Sequence, residues 1–187
     1  MCRYAFHAYK PHYVCFNCRK MFKQPLLEDM IIQNGDWDNY QRAFLEKNSA
    51  KKQHYINENP DVVQYIEERY LNKAYKCPEC AQNMLPIGMD VRAPKKDDKK
   101  AWKILESMYK LGNTFHSCGC YGPGYIPKDT KNYSTYLQQI ENQYKLRIAD
   151  RSRAFSEKDL SEYIRYWETK LQLVQQEINN LSNNNSQ

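Results

Sequence analysis

No stretch of this chain approaches the run of about 20 apolar residues that an α-helix needs to cross a bilayer, so a membrane-spanning helix is excluded. The phosphate-loop ending Gly-Lys-Ser/Thr is absent, and so is the glycine spacing of a dinucleotide fingerprint. His-Glu-x-x-His is missing, which removes the commonest helical zinc-protease signature. The zinc-deaminase pattern of His-x-Glu with Pro-Cys-x-x-Cys is missing too, since Pro78 lies inside its Cys-x-x-Cys and residue 76 is Lys. Acid is missing from the first 23 residues, which hold five Lys/Arg and no Asp or Glu. No secretory leader is expected ahead of Cys2, and the cysteine count, seven, is odd. A reducing cytoplasmic setting is therefore expected rather than a disulfide framework.

What the chain does have is two cysteine pairs, Cys15-Phe16-Asn17-Cys18 and Cys77-Pro78-Glu79-Cys80. Two residues between cysteines let a tight turn aim both sulfurs at one point. Backbone amides in that turn can then hydrogen-bond the thiolates. Each pair supplies half a tetrahedron, and Cys15, Cys18, Cys77 and Cys80 together make the ligand set of a closed structural zinc site. A lone Cys-x-x-Cys could equally be a redox dithiol, but no βαβ pattern surrounds Cys77 and Cys80. The 58 residues between Cys18 and Cys77 exceed the usual separation of about 15–20 residues, so something is inserted between the knuckles.

Charge follows this layout. Residues 24–72 carry nine acids against five bases, whereas residues 73–110 carry nine bases against five acids. Positive charge thus collects on the two knuckle segments and the insert is acidic. A basic zinc module is an electrostatic footprint for nucleic acid, with Arg19, Lys20, Lys23, Lys73 and Lys76 as the candidate contacts to phosphate. A solvated surface of mixed sign explains the same charges, and both readings stand at this stage.

In chain order, residues 4–9 read as a short aromatic strand interrupted by Pro11. Residues 13–23 read as strand, knuckle, strand. Within the insert a helix is expected from about Asp36, with Trp37, Tyr40 and Phe44 on one face. A second is expected at Asn59-Pro60-Asp61, where Asn59 caps, Pro60 takes the first helical position and Asp61 suits the positive helix end. Val62, Val63, Ile66 and Tyr70 form its apolar stripe. The second knuckle hairpin spans 73–87, and a strand continues from Met84 to Val91 with Gly88 as a bend. A charged connector, 93–100, leads to a helix bearing Trp102, Leu105 and Tyr109, stopped by Gly112.

His116, Cys118 and Cys120 fall on one face of an extended segment, because side chains alternate along a strand. They are candidates for a second metal site, with Cys2, His7 or His12 as a fourth ligand. Burial on the inward face of a core strand accounts for them too, since cysteine is among the most buried residue types. They also define the one enzymatic alternative, a cysteine- or metal-dependent oxidoreductase or hydrolase. The Gly-Pro-Gly loop that follows suits a tight return from strand to helix. The C-terminal third is helical. Tyr133, Leu137, Ile140, Tyr144 and Ile148 make one stripe. Leu160, Ile164, Trp167, Leu171, Val174, Ile178 and Leu181 make a heptad seam, entered through a capping-box variant at Ser156–Asp159.

Taken together, the two knuckles, the His116-Ser117-Cys118-Gly119-Cys120 stretch and the Gly-Pro-Gly-Tyr-Ile-Pro loop resemble small bacterial zinc-ribbon proteins with paired Cys-x-x-Cys knuckles. The resemblance covers about residues 4–23 and 75–130, and the long insert departs from it. It implies a zinc ribbon but no particular role. The expected fold is α+β: a small zinc-ribbon β core with packed helices and a C-terminal antiparallel, coiled-coil-like helical hairpin. The expected layout is a zinc-ribbon domain over 1–130 with its insert at 24–72, a hairpin over 131–182 and a frayed tail at 183–187. The expected function is non-enzymatic: a structural four-cysteine zinc (Zn2+) site with nucleic acid, RNA or DNA, held on the basic edge. The alternative is a protein–protein adaptor, or a homodimer, working through the Leu160–Leu181 helix.

Overall fold

The basic hairpin His12–Lys23 supplies the central strand and one edge strand of the only sheet among the described residues of this computed structural model, which are 10–89, 91–113, 115, 129–150 and 157–184. Strand β1 (His12–Cys15) runs into the first knuckle, and β2 (Lys20–Lys23) returns antiparallel to it, pairing Cys15 with Lys20 and His12 with Lys23. The third strand, β3 (Leu85–Ile87), pairs antiparallel with the other edge of β1, giving the order β2-β1-β3. β1 is thus shared by both knuckle hairpins, and the pairing of His12 with Ile87 draws the second knuckle beside the first. The strand expected over Met84–Val91 shortens to three residues and ends before Gly88. The rest of the second hairpin closes by a bridge between Lys76 and Asn83 and by the Met84 N–H donating to the Tyr75 carbonyl at 2.7 Å.

The insert holds four helices rather than two. They are α1 (Leu27–Gln33), α2 (Trp37–Tyr40), α3 (Ser49–Glu58) and α4 (Pro60–Ile66). Helices α2 and α4 each run on into a π-helical turn, Gln41–Leu45 and Glu67–Leu71. Ile31, Ile66 and Tyr70 are buried at the insert's centre, with Leu27, Met30, Trp37, Tyr40, Phe44 and Val62 packed around them. The expected stripes around Trp37 and Ile66 therefore form the insert's core. Asn59 does not cap α4 through its side chain. Its amide donates instead to the Tyr55 carbonyl at 3.0 Å, closing the end of α3, while Pro60 does occupy the first turn of α4.

The chain divides into two compact units, Met1–Met89 and Asp90–Gln187. In the second, α5 (Lys99–Lys110) starts at Asp98, whose side chain accepts from the Ala101 N–H at 3.0 Å. It buries Trp102, Ile104, Leu105 and Met108 and stops at Gly112, where φ is +84°. Helix α6 (Thr130–Ala149) is capped by Asp129 and packs along α7 (Glu157–Asn184) as the expected helical pair. Tyr133, Leu137 and Ile140 of α6 and Val174 of α7 are buried. The Tyr144 and Trp167 rings meet across the pair at 5.0 Å between centroids. α7 continues to Asn184, with the Ser182 hydroxyl donating to the Ile178 carbonyl, so the segment expected to fray begins in helix. At the end of α5 the Lys170 ammonium of α7 donates to the Leu111 carbonyl at 3.3 Å, where a cation suits the negative helix end. The N-terminal aromatic strand, the capping box at Ser156 and the glycine-rich loop all fall outside the described residues.

Candidate metal centre

Both knuckles follow one local plan. Each second cysteine is followed by a residue in the left-handed region, Arg19 at φ 53° after Cys18 and Ala81 at φ 57° after Cys80. That reversal turns the chain back along its own hairpin. L-residues resist it, since Cβ crowds the following carbonyl at a cost of roughly 1–2 kcal/mol. In the first knuckle the Cys18 N–H points at the Cys15 Sγ at 3.5 Å. In the second, the Ala81 N–H donates to the Cys77 carbonyl and the Cys77 N–H donates to the Gln82 carbonyl, both at 2.8 Å.

The four cysteines converge. Their Sγ atoms all lie within 4.8 Å of one another, and Cys15 and Cys80, from different knuckles, stand 3.6 Å apart. Zn–S bonds of about 2.3 Å in a tetrahedron imply S···S edges of about 3.8 Å, so the spacing fits a tetrahedral metal. The donor set fits as well, being four free thiols with no disulfide between them. Cys15 and Cys77 are buried and Cys18 and Cys80 half-buried. Met84 is buried with them, and Tyr13, Phe22 and Tyr75 pack around this core, the two tyrosine rings 4.6 Å apart.

The surroundings favour thiolate formation unevenly. Hydrogen bonds, first from the Gln82 backbone N–H and then from Cys18, lower the Cys80 thiol to about 6. Burial raises the Cys15 thiol. Cys18 is raised as well, foremost by its hydrogen bond with Cys80. Cys80 therefore gives up its proton more readily than Cys15 or Cys18. A metal that binds all four displaces the remaining protons, which makes its affinity fall in acid.

The candidate nucleic-acid contacts are placed less uniformly. Lys23, Lys73 and Lys76 are exposed on the first unit, whereas Arg19 and Lys20 are half-buried. Lys20 forms an ion pair with Glu79 of the second knuckle. The Lys73 ammonium lies 5.3 Å from the centroid of the Tyr75 ring. Charge spacing along the chain holds no sign of the Lys20–Glu79 pair, because its members are 59 residues apart. His12 lies in β1, its pKa lowered by burial and then by Lys23. His116, Cys118, Cys120, Cys2 and His7 lie outside the described residues. Among the described residues, Cys15, Cys18, Cys77 and Cys80 are the only group with the spacing of a metal site. No helix among them is long and apolar enough to cross a membrane.

Comparison with protein-family models, with curated proteins and with solved structures finds no match to this chain.

Proposed function

We propose that this chain is a non-enzymatic zinc-binding protein of zinc-ribbon type, in which one structural zinc joins the two knuckles and the basic face of the first unit holds nucleic acid by its phosphates. The observation that carries the zinc reading is the convergence of four Sγ atoms within 4.8 Å, delivered by two hairpins that share β1. When bound, the metal ties together segments that the insert separates and offsets the charge of the four thiolates. The protein's own contribution is to aim the sulfurs, donate backbone N–H groups to them and cover them with Tyr13, Phe22, Tyr75 and Met84. Four protein ligands leave no open coordination position, which supports a structural role over a catalytic one.

The nucleic-acid reading rests on the exposed Lys23, Lys73 and Lys76 and on the absence of acid from residues 1–23. Phosphate contacts of this kind lose affinity steeply as salt rises and read little sequence. The test is binding of single- and double-stranded oligonucleotides of scrambled sequence across a salt series. Lys23→Glu with Lys76→Glu is expected to weaken binding of every sequence and to flatten the salt slope. Unchanged binding would remove this reading and leave the metal site untouched.

A second reading, a protein adaptor or a homodimer, is favoured by Tyr166 and Leu173 on α7 and Leu146 on α6, which are 54%, 38% and 71% exposed. Most of the heptad seam is already turned into the pair, since Leu160, Ile164, Trp167, Leu171 and Ile178 are half-buried and Val174 is buried. Sedimentation of the wild type and of Leu173→Glu separates the two readings. A dimer that Leu173→Glu dissolves supports the adaptor reading, and a monomer in both argues against self-association.

A further inference from the structure

We infer that Lys20 is a positioning residue for the metal centre: its ammonium offsets the negative charge of the four thiolates, and Glu79 of the opposite knuckle holds it in place. This inference rests on the zinc reading above. It removes Lys20 from the nucleic-acid edge and gives it a different task.

The placement is what argues it. Lys20 opens β2, two residues after Cys18, and its Cα is paired with that of Cys15 across the first hairpin. Glu79 sits inside the second knuckle, between Cys77 and Cys80. The Lys20–Glu79 ion pair therefore joins the two knuckles, from a residue paired with Cys15 and two positions after Cys18 to one lying between Cys77 and Cys80, and it bridges the same two hairpins that a metal would. A dication held by four thiolates leaves a net charge of −2. Glu79 would add a further negative charge beside it if it stood alone. Lys20 touches that carboxylate and cancels its charge, and β pairing sets Lys20 opposite Cys15, so Glu79 adds nothing to the charge of the cluster. Residues that hydrogen-bond or neutralise ligands in this way typically change metal affinity by about 10–100-fold when replaced.

Three variants of the full chain test this by competition for Zn2+ with a chromophoric chelator. Lys20→Met keeps the aliphatic stem and removes the charge, and it is expected to bind zinc about tenfold more weakly than wild type. Lys20→Arg keeps the charge and should stay close to wild type. Lys20→Met combined with Glu79→Gln removes the uncompensated carboxylate as well and should recover part of the loss. The gap between wild type and Lys20→Met should narrow as salt rises, because screening acts on charge and leaves packing alone. Equal affinity of wild type and Lys20→Met would overturn the inference while the zinc reading stood. So would Lys20→Arg losing as much as Lys20→Met, or a gap that salt does not change. A wild-type chain that takes up no zinc would remove the zinc reading and this inference with it.

Discussion

Cys15 Sγ lies 3.6 Å from Cys80 Sγ, although the two are 65 positions apart in sequence. The contact exists because β1 pairs with β2 on one edge and β3 on the other, so both knuckles hang from one strand. Cys15→Ser should therefore do more than remove one ligand. Cys15 is buried within the site's core, and metal binding in such sites is coupled to folding at about 10–16 kcal/mol. The variant is expected to purify without stoichiometric zinc, and its first unit should unfold at a clearly lower temperature than wild type. Calorimetry with metal analysis checks both, and retention of one zinc at full strength would speak against a four-cysteine centre.

Ala81 is held at φ 57° directly after Cys80. Glycine enters that region without the Cβ penalty, although it loses more freedom on folding. Relief of roughly 1–2 kcal/mol of left-handed strain outweighs the glycine entropy cost of about 0.5–1 kcal/mol. Ala81→Gly should thus leave zinc binding intact and raise the unfolding midpoint slightly, whereas Ala81→Val should lower it. Denaturant unfolding of the zinc-loaded protein measures the difference.

Tyr70 is buried in the insert with its hydroxyl donating to Asp36 Oδ2, which also accepts from Tyr65 at 3.3 Å. Burial, reinforced by the Asp36 hydrogen bond, pushes the Tyr70 phenol up to about 12. An unfolded tyrosine titrates near about 10. Folding therefore favours the neutral phenol: its contribution to stability is fully present below pH 10 and is lost as pH rises through 12. Tyr70→Phe should abolish this alkaline loss and cost on the order of 1 kcal/mol at neutral pH, since one hydrogen bond disappears. Equilibrium unfolding at neutral and alkaline pH tests it, and an identical alkaline profile in the variant would contradict the assignment.

Leu137 and Leu146 lie on the same helix, α6, yet they are 0% and 71% exposed. Leu137→Ala should destabilise the second unit by about 2–5 kcal/mol, the usual range for a fully buried leucine. Leu146→Ala should stay within about 0.5 kcal/mol. Comparable losses at the two sites would contradict the burial of Leu137 and the exposure of Leu146.

How much of this was legible in the sequence depends on the range of the interaction. The knuckles were readable because Cys-x-x-Cys is local and its ligand geometry leaves few options. The stripes of α6 and α7 were readable because helical periodicity repeats over many turns. Helix α3 escaped because it buries none of its residues, so Ser49–Glu58 shows no apolar period to detect. Asn59 reads as a cap in the sequence, but α3 and α4 abut at that residue and its amide serves the helix before it. The two π-helical turns have no sequence signature in Gln41–Leu45 or Glu67–Leu71. The Lys20–Glu79 pair was invisible for a simpler reason: only the pairing of both knuckle hairpins with β1 brings those charges together.

The most direct test of the central claim is the zinc content of protein purified without added metal, with reactive thiols counted before and after chelation. The account predicts one zinc per chain. Cys15, Cys18, Cys77 and Cys80 should be protected before chelation and should react after it. A chain that carries no metal and shows seven reactive thiols from the start would contradict it.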